Sequence, residues 1–144
     1  MRARVTPVSP LSSKEKAEIL LRAALSKKAS DPLLIRLAEL TPLADYFLIV
    51  SGRSARQVQA IAEAIQTEAR TRKFPKYSAE GITQGNWALL DYGDVIVHIF
   101  QPVVREFYDL EGLWSEAPRE NLSPALMAEI EAATETADEE EWPE

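Results

Sequence analysis

The fold class that this sequence predicts is α/β: a single domain with a mixed sheet of about five strands covered by helices. Three observations carry that expectation. The unbroken apolar run Tyr46 to Val50 passes through Ser51-Gly52 into a helical stripe, the strand–turn–helix order of an α/β layer. Two further apolar runs, Trp87 to Tyr92 and Val95 to Phe100, flank Gly93-Asp94 as the arms of a hairpin do. With 144 residues, 46% of them hydrophobic and 27% charged, the chain suits one globular domain and is short for two.

Taken in order, residues 1–12, with Pro7 and Pro10, read as a flexible N-terminal arm. Ser12 and Glu15 stand at the spacing of a capping box, in which each side chain satisfies the other's backbone donor. Ala17, Leu20, Leu21 and Ala24 then recur at helical spacing, so a first helix is expected to end near Lys28, with Asp31-Pro32 as its breaker. Leu33 to Leu40, interrupted by Arg36 and Glu39, suits a strand exposed on one face or edge. Thr41-Pro42 turns the chain into Tyr46 to Val50, whose lack of any polar break implies burial on both faces.

Ser54 and Gln57 form a second capping-box pair, and Val58, Ile61, Ala62 and Ile65 predict a helix running to about Lys73. A weak strand is expected over Tyr77 to Ile82, followed by the hairpin. Pro102 favours a first helical position, and Val103, Phe107, Leu110 and Trp114 continue at helical spacing as one stripe. Pro118 is expected to end the compact domain of residues 13–118. Residues 119–144 then form an acidic C-terminal tail, part helical, with Leu126, Ile130, Ala133 and Ala137 on one face.

Composition excludes several chemistries. Cysteine is absent, so there is no disulfide, thiolate nucleophile or Cys-ligated zinc. One histidine, His98, rules out a multi-histidine metal site within one chain. No apolar run reaches the roughly 18–20 residues of a membrane helix, and the N-terminal stretch has no apolar core of a signal peptide. A soluble cytoplasmic protein without cofactor or metal is therefore expected.

The formal charge of −7 is unevenly placed. Residues 121–144 carry eight acids and no Lys or Arg, leaving sixteen basic and fifteen acidic side chains in residues 1–120. The domain is near neutral and lacks the clustered basic excess of a protein that lives on phosphate contacts.

Ser51-Gly52-Arg53-Ser54, between a buried strand and a helix start, could hold an anion on backbone N–H groups. It lacks the glycines and Lys of phosphate-loop fingerprints, and a turn with a helix cap accounts for it. Nucleotidyltransferases also place a Gly-Ser pair after their first strand, followed by two metal-binding acids on the next. Here the nearest acids, Asp91 and Asp94, are three apart and flank a turn, whereas neighbours on one strand face are two apart. His98, within an apolar strand, reads as a hydrogen-bonded structural or interface residue; Asp91 or Asp94 across the hairpin, or a backbone carbonyl, would be its partner. Trp87, Leu89 and Asp91 share one strand face while Ala88, Leu90 and Tyr92 share the other. Both faces are too apolar for solvent, so one is expected to pack on helices and the other to meet a partner, where Trp and Tyr are frequent hot spots.

These residues also carry a resemblance. Asn86-Trp87-Ala88-Leu89-Leu90-Asp91-Tyr92-Gly93-Asp94-Val95-Ile96-Val97-His98-Ile99-Phe100, continued by Arg105-Glu106-Phe107-Tyr108-Asp109-Leu110-Glu111 and Leu113-Trp114, resembles the ribosomal silencing factor (RsfS/Iojap) family. Ala44-Asp45-Tyr46-Phe47-Leu48-Ile49-Val50-Ser51-Gly52, with Ser54, Arg56 and Gln57, is similar to the family's other block. The likeness spans about residues 13–116. It implies a sheet related in topology to nucleotidyltransferases but without their catalytic acids. It further implies binding to the large ribosomal subunit through ribosomal protein L fourteen, on the face that meets the small subunit. Occupying that face sterically blocks subunit association and represses translation under nutrient limitation; organellar relatives act in large-subunit assembly, and members occur as homodimers.

The resemblance places the docking surface on Trp87 and Leu89, with Asp91, Tyr92 and Asp94 as a polar rim. Two departures stand out: Asn86 replaces the family's usual acid, and residues 73–84 match loosely. A factor that acts by covering a surface needs a rigid patch rather than a nucleophile, and an ordinary interface buries about 1,200–2,000 Å² in total. The alternatives are a small nucleotidyltransferase-like enzyme using Ser51 to Ser54, or a large-subunit biogenesis factor. The acidic tail is expected to point away from RNA or to touch basic ribosomal protein, and its removal at Pro118 to leave folding almost unchanged.

Overall fold

The computed structural model describes residues 11–137. Residues 1–10 of the expected arm, residues 138–144 of the expected tail and the side chains of Ala133 and Ala137 lie outside the described residues. The chain runs α1 (Ser13–Leu25), β1 (Ser30–Arg36), β2 (Tyr46–Ser51), α2 (Ala55–Thr71), β3 (Ser78–Glu80), β4 (Trp87–Asp91), β5 (Val95–Phe100), α3 (Pro102–Tyr108), α4 (Leu110–Leu113) and α5 (Pro124–Ala137). The five strands form one sheet in the order β1-β2-β5-β4-β3. Only β2 and β5 pair in parallel; the other neighbours are antiparallel, so the sheet is mixed, as expected.

Strand alternation divides the core into two layers. Leu48, Val50, Ala88, Leu90, Val97 and Ile99 face α1 and α2, whose Leu20, Leu21, Val58, Ile61 and Ile65 are fully buried against them. Phe47, Ile49, Ile96 and Phe100 point the other way, into a smaller cluster with Leu37, Ala44 and Ala117. Trp87, Leu89, Val104, Leu110 and Trp114 pack against that second cluster and are themselves only partly buried. The apolar run Tyr46 to Val50 is thus buried on both faces, as its sequence requires.

The α1 capping box forms: Ser12 Oγ accepts from Glu15 N at 3.1 Å, and Glu15 Oε1 accepts from Ser12 N at 2.9 Å. At α2 only half of the pattern forms. Ser54 Oγ accepts from Gln57 N, but Gln57 Oε1 takes Arg53 N at 2.7 Å.

Three elements depart from expectation. Strand β1 starts at Ser30, three residues before the expected start, and stops at Arg36. It is an edge strand with an irregular register between Ser30 and Leu33, where Pro32 has no ladder bond to lose. The single helix expected from Pro102 to Trp114 breaks at Asp109, whose left-handed φ of 46° separates α3 from α4. The Asp109 carboxylate then caps α4 by accepting from Gly112 N at 3.1 Å. A Cβ on Gly112 would lie 2.1 Å from that carboxylate, so any larger residue there would make the Asp109 side chain shift.

The third departure is the boundary at Pro118, across which the packing continues. Arg36 N donates to Pro118 O and Glu120 N to Leu34 O, so the chain flanks the outer edge of β1. Ser123 N donates to Glu18 Oε2 at 2.9 Å, and Leu126 of α5 is fully buried in the inner core. Leu122 and Ile130 pack beside it, and Arg22 pairs with Glu129 at 2.9 Å. The apolar face read in this segment at Leu126 and Ile130 thus docks on α1 and the inner core rather than standing apart from the domain.

Candidate docking surface

The β4–β5 hairpin sets the site. Its turn is held by Asp91 Oδ1, which accepts from Gly93 N at 2.7 Å, and by the bond from Tyr92 N to Val95 O. Gly93 has a φ of 90°, a conformation that glycine adopts at no steric cost. Alternation sends Trp87, Leu89 and Asp91 to the outer face, all partly exposed, and Ala88, Leu90 and Tyr92 inward.

The five expected docking residues therefore do not form one surface. Tyr92 is 2% exposed in the inner core, and burial pushes its hydroxyl pKa up to about 12. It has no area to offer a partner. Asp94 sits at the hairpin turn but faces α1, where it accepts from Lys16 Nζ at 2.8 Å and Ser13 Oγ at 2.9 Å. Lys16 Nζ also donates to Tyr92 O, so this group fastens α1 to the hairpin. Trp87, Leu89 and Asp91 remain on the outer face.

His98 lies on that face too, and its partner is neither Asp91 nor Asp94. Its Nδ1 accepts the indole N–H of Trp87 at 3.1 Å. His98 is 3% exposed, and desolvation lowers its pKa to about 4, so the ring is neutral at neutral pH. Phe47 meets it edge-on with ring centroids 4.6 Å apart. Trp87 in turn stacks on Phe100 at 4.8 Å and touches Tyr108 of α3 at 4.9 Å.

Beyond Tyr108 the surface becomes strongly apolar. Val103 and Phe107 are each 79% exposed, Leu113 is 76% and Tyr108 55%. The periodic stripe of Val103, Phe107, Leu110 and Trp114 is therefore split. Leu110 and Trp114 pack on the sheet, while Val103 and Phe107 face outward. Helical spacing alone carries no signal for this split, since α3 ends at Tyr108 and α4 begins a new axis at Leu110.

Arg105 locks the two short helices in place. It donates to Asp31 O and Ser51 Oγ at 2.8 Å each, and to Glu111 Oε2 from Nε and Nη2. With that guanidinium engaged, the acids Glu106 and Asp109 are exposed on α3 and at its end, and Glu111 is partly exposed. The exposed Arg119, which donates to Glu111 O and Trp114 O, sets one positive charge beside α4.

The Ser51–Ser54 turn has little left for a phosphate. Gly52 N donates to Phe100 O, Arg53 N to Gln57 Oε1, and Ser51 Oγ receives Arg105. Side-chain atoms of Val58 and Ile61 would lie 3.1 and 3.2 Å from a Cβ on Gly52, so the turn is also closely packed. Among the described residues no three His, Cys, Asp or Glu side chains gather as a metal site. Nor is any described helix long and apolar enough to cross a membrane.

Comparison with known proteins places this geometry. A relative from Halalkalibacterium halodurans, named ribosomal silencing factor RsfS, is 37% identical over 116 residues, 81% of this chain and 99% of its own. A mouse protein named "Mitochondrial assembly of ribosomal large subunit protein 1" is 28% identical over 112 residues, 76% of this chain and 49% of its own. A crystal structure of a Chromobacterium violaceum protein superposes with a TM-score of 0.71 at 30% identity, covering 78% of this chain and 93% of that one. The family model described as "Ribosomal silencing factor during starvation" matches residues 10–143, α5 included. With nearly the whole sequence matched, and the fold shared with a solved structure, this chain is a member of the ribosomal silencing factor family.

Proposed function

We propose that this protein docks on the large ribosomal subunit, through ribosomal protein L fourteen, and by occupying that surface blocks association with the small subunit, repressing translation under nutrient limitation. The observation that carries the reading is the set of exposed apolar side chains on α3 and α4: Val103, Phe107, Tyr108 and Leu113. The ring contact of Tyr108 with Trp87 links them to the outer β4 face of Trp87 and Leu89, and the acids Asp91, Glu106 and Asp109 lie on the same elements. An apolar strip of this kind on a rigid element is suited to burial against another protein. Its acidic neighbours would be repelled by RNA phosphates and attracted by a basic ribosomal protein. The protein works in the cytoplasm on this reading and forms a homodimer when off the ribosome. The turn at Ser51 to Ser54, with its donors already paired, supports a cap rather than a nucleotide site.

A second reading, a role in large-subunit assembly, is favoured by the name of the mouse relative. It uses the same docking step and differs in when the factor acts.

Co-sedimentation with purified large subunits tests the docking. The parent chain is expected in the subunit fraction, and Trp87→Ala is expected to bind about thirty-fold more weakly, the scale of a hot-spot residue. Equal binding by a folded Trp87→Ala would remove Trp87 from the site.

A further inference from the structure

We infer that His98 is the positioning residue of the docking surface: by accepting the indole N–H of Trp87, it fixes the orientation in which that ring meets the large subunit. The inference rests on the docking proposed above and adds to it a residue that makes no contact with the partner.

His98 occupies the middle of β5, a strand otherwise built of Val, Ile and Phe and buried along its length. A polar ring is costly there unless both nitrogens are satisfied. Only one is: Nδ1 takes the Trp87 N–H at 3.1 Å, while Nε2 is buried without a hydrogen-bond partner among the described residues. An aliphatic side chain would fill the position without leaving a polar atom unpaired. The imidazole is therefore poorly explained by stability and well explained by the bond it makes.

That bond is directional. In the neutral ring one nitrogen accepts and the other carries the proton, so acceptance at Nδ1 selects the Nε2–H tautomer. Phe47, 4.6 Å away and edge-on, holds the imidazole from the opposite side of the sheet's outer face. His98 lies directly across from Leu89 in the β4–β5 register, two pairs along from Trp87 and Phe100 and so on the same face. The indole is thus fixed at its N–H by His98 and along its ring by Phe100 and Tyr108. A half-buried tryptophan held in this way loses little rotamer freedom on binding, which favours affinity without a new contact.

The test uses the full chain in three comparisons. Scalar coupling across the hydrogen bond, between Trp87 Nε1 and His98 Nδ1, is expected in the NMR spectrum of the free protein. His98→Leu should abolish it and weaken co-sedimentation with large subunits roughly tenfold, the value of one hydrogen-bonded constraint. His98→Asn, which restores an acceptor near the Nδ1 position, should return most of that loss. In a Trp87→Phe background, which has no N–H to orient, His98→Leu should cost nothing further. Should His98→Leu fail to fold, Trp87→Phe alone carries the test from the donor side.

Absence of the coupling, or parent-like binding by His98→Leu or Trp87→Phe while Trp87→Ala binds weakly, overturns the positioning role and leaves the docking surface standing. Parent-like binding by Trp87→Ala overturns the docking surface and the positioning role together.

Discussion

Leu126→Ala should destabilise the protein by about 2.5 kcal/mol and lower its melting temperature by about 9 °C. Leu126 is fully buried in the inner core, where α5 meets α1, and is the one such side chain among the described residues of α5. Three carbons returned to water cost about 0.8 kcal/mol each. A rigid site would add a cavity term, but α5 can settle toward α1, so the value stays at the low end of buried Leu→Ala changes. Unfolding entropy for a domain of this size is about 0.27 kcal/mol per degree, which converts the loss to the shift stated. Truncation after Glu120, which also removes Leu122 and Ile130, should cost more. The exposed Arg22–Glu129 pair adds little to either figure. Thermal unfolding of the two variants beside the parent, at one pH and salt, is the assay. Melting temperatures within about 2 °C of the parent for both would show that α5 is an appendage after all.

Three further outcomes are expected. The unfolded chain protonates His98 near pH 6.5, whereas the folded chain resists protonation down to about 4. The stability this group contributes is complete above about pH 6.5 and is lost as pH falls toward 4, by about 3 kcal/mol. The parent-minus-His98→Leu difference in unfolding free energy should show that slope; a difference flat from pH 7 to 4 would contradict it. Asp109→Ala should remove the carboxylate that caps α4 and cost about 1 kcal/mol, read as a melting shift of about 4 °C; an unshifted melt would contradict the cap. Calorimetry with ATP or GTP and magnesium should show no saturable binding, and binding lost on Asp91→Ala would instead favour the enzyme reading.

The sequence was most legible where one local signal acted alone. The five-residue apolar run at Tyr46 and the Gly93 turn place β2 and the hairpin directly, and Ser12 with Glu15 marks the start of α1. Strand β1 was harder because Asp31-Pro32 reads as a breaker, yet an edge strand tolerates proline. The break at Asp109 depends on a left-handed aspartate stabilised by its own bond to Gly112, which helical periodicity cannot register. Docking of α5 rests largely on one leucine within an acidic stretch, too small a signal for composition to reveal.

At the site, alternation alone separated Trp87, Leu89 and Asp91 from Tyr92, and the structure keeps that division. The rim assigned by resemblance joined residues that lie on opposite faces. Val103 and Phe107 share helical spacing with Leu110 and Trp114, yet the left-handed Asp109 puts the two pairs on separate helices, and only the second pair packs on the sheet.

The most direct test of the account is light scattering during association of purified ribosomal subunits, with parent protein or with Phe107→Ala. Phe107 is exposed and its loss should leave the fold intact, so the variant isolates the surface. The parent is expected to suppress association in proportion to its occupancy of the large subunit, and Phe107→Ala to require about tenfold more protein for the same effect. Undiminished association at saturating parent protein, or equal suppression by Phe107→Ala, would contradict the account.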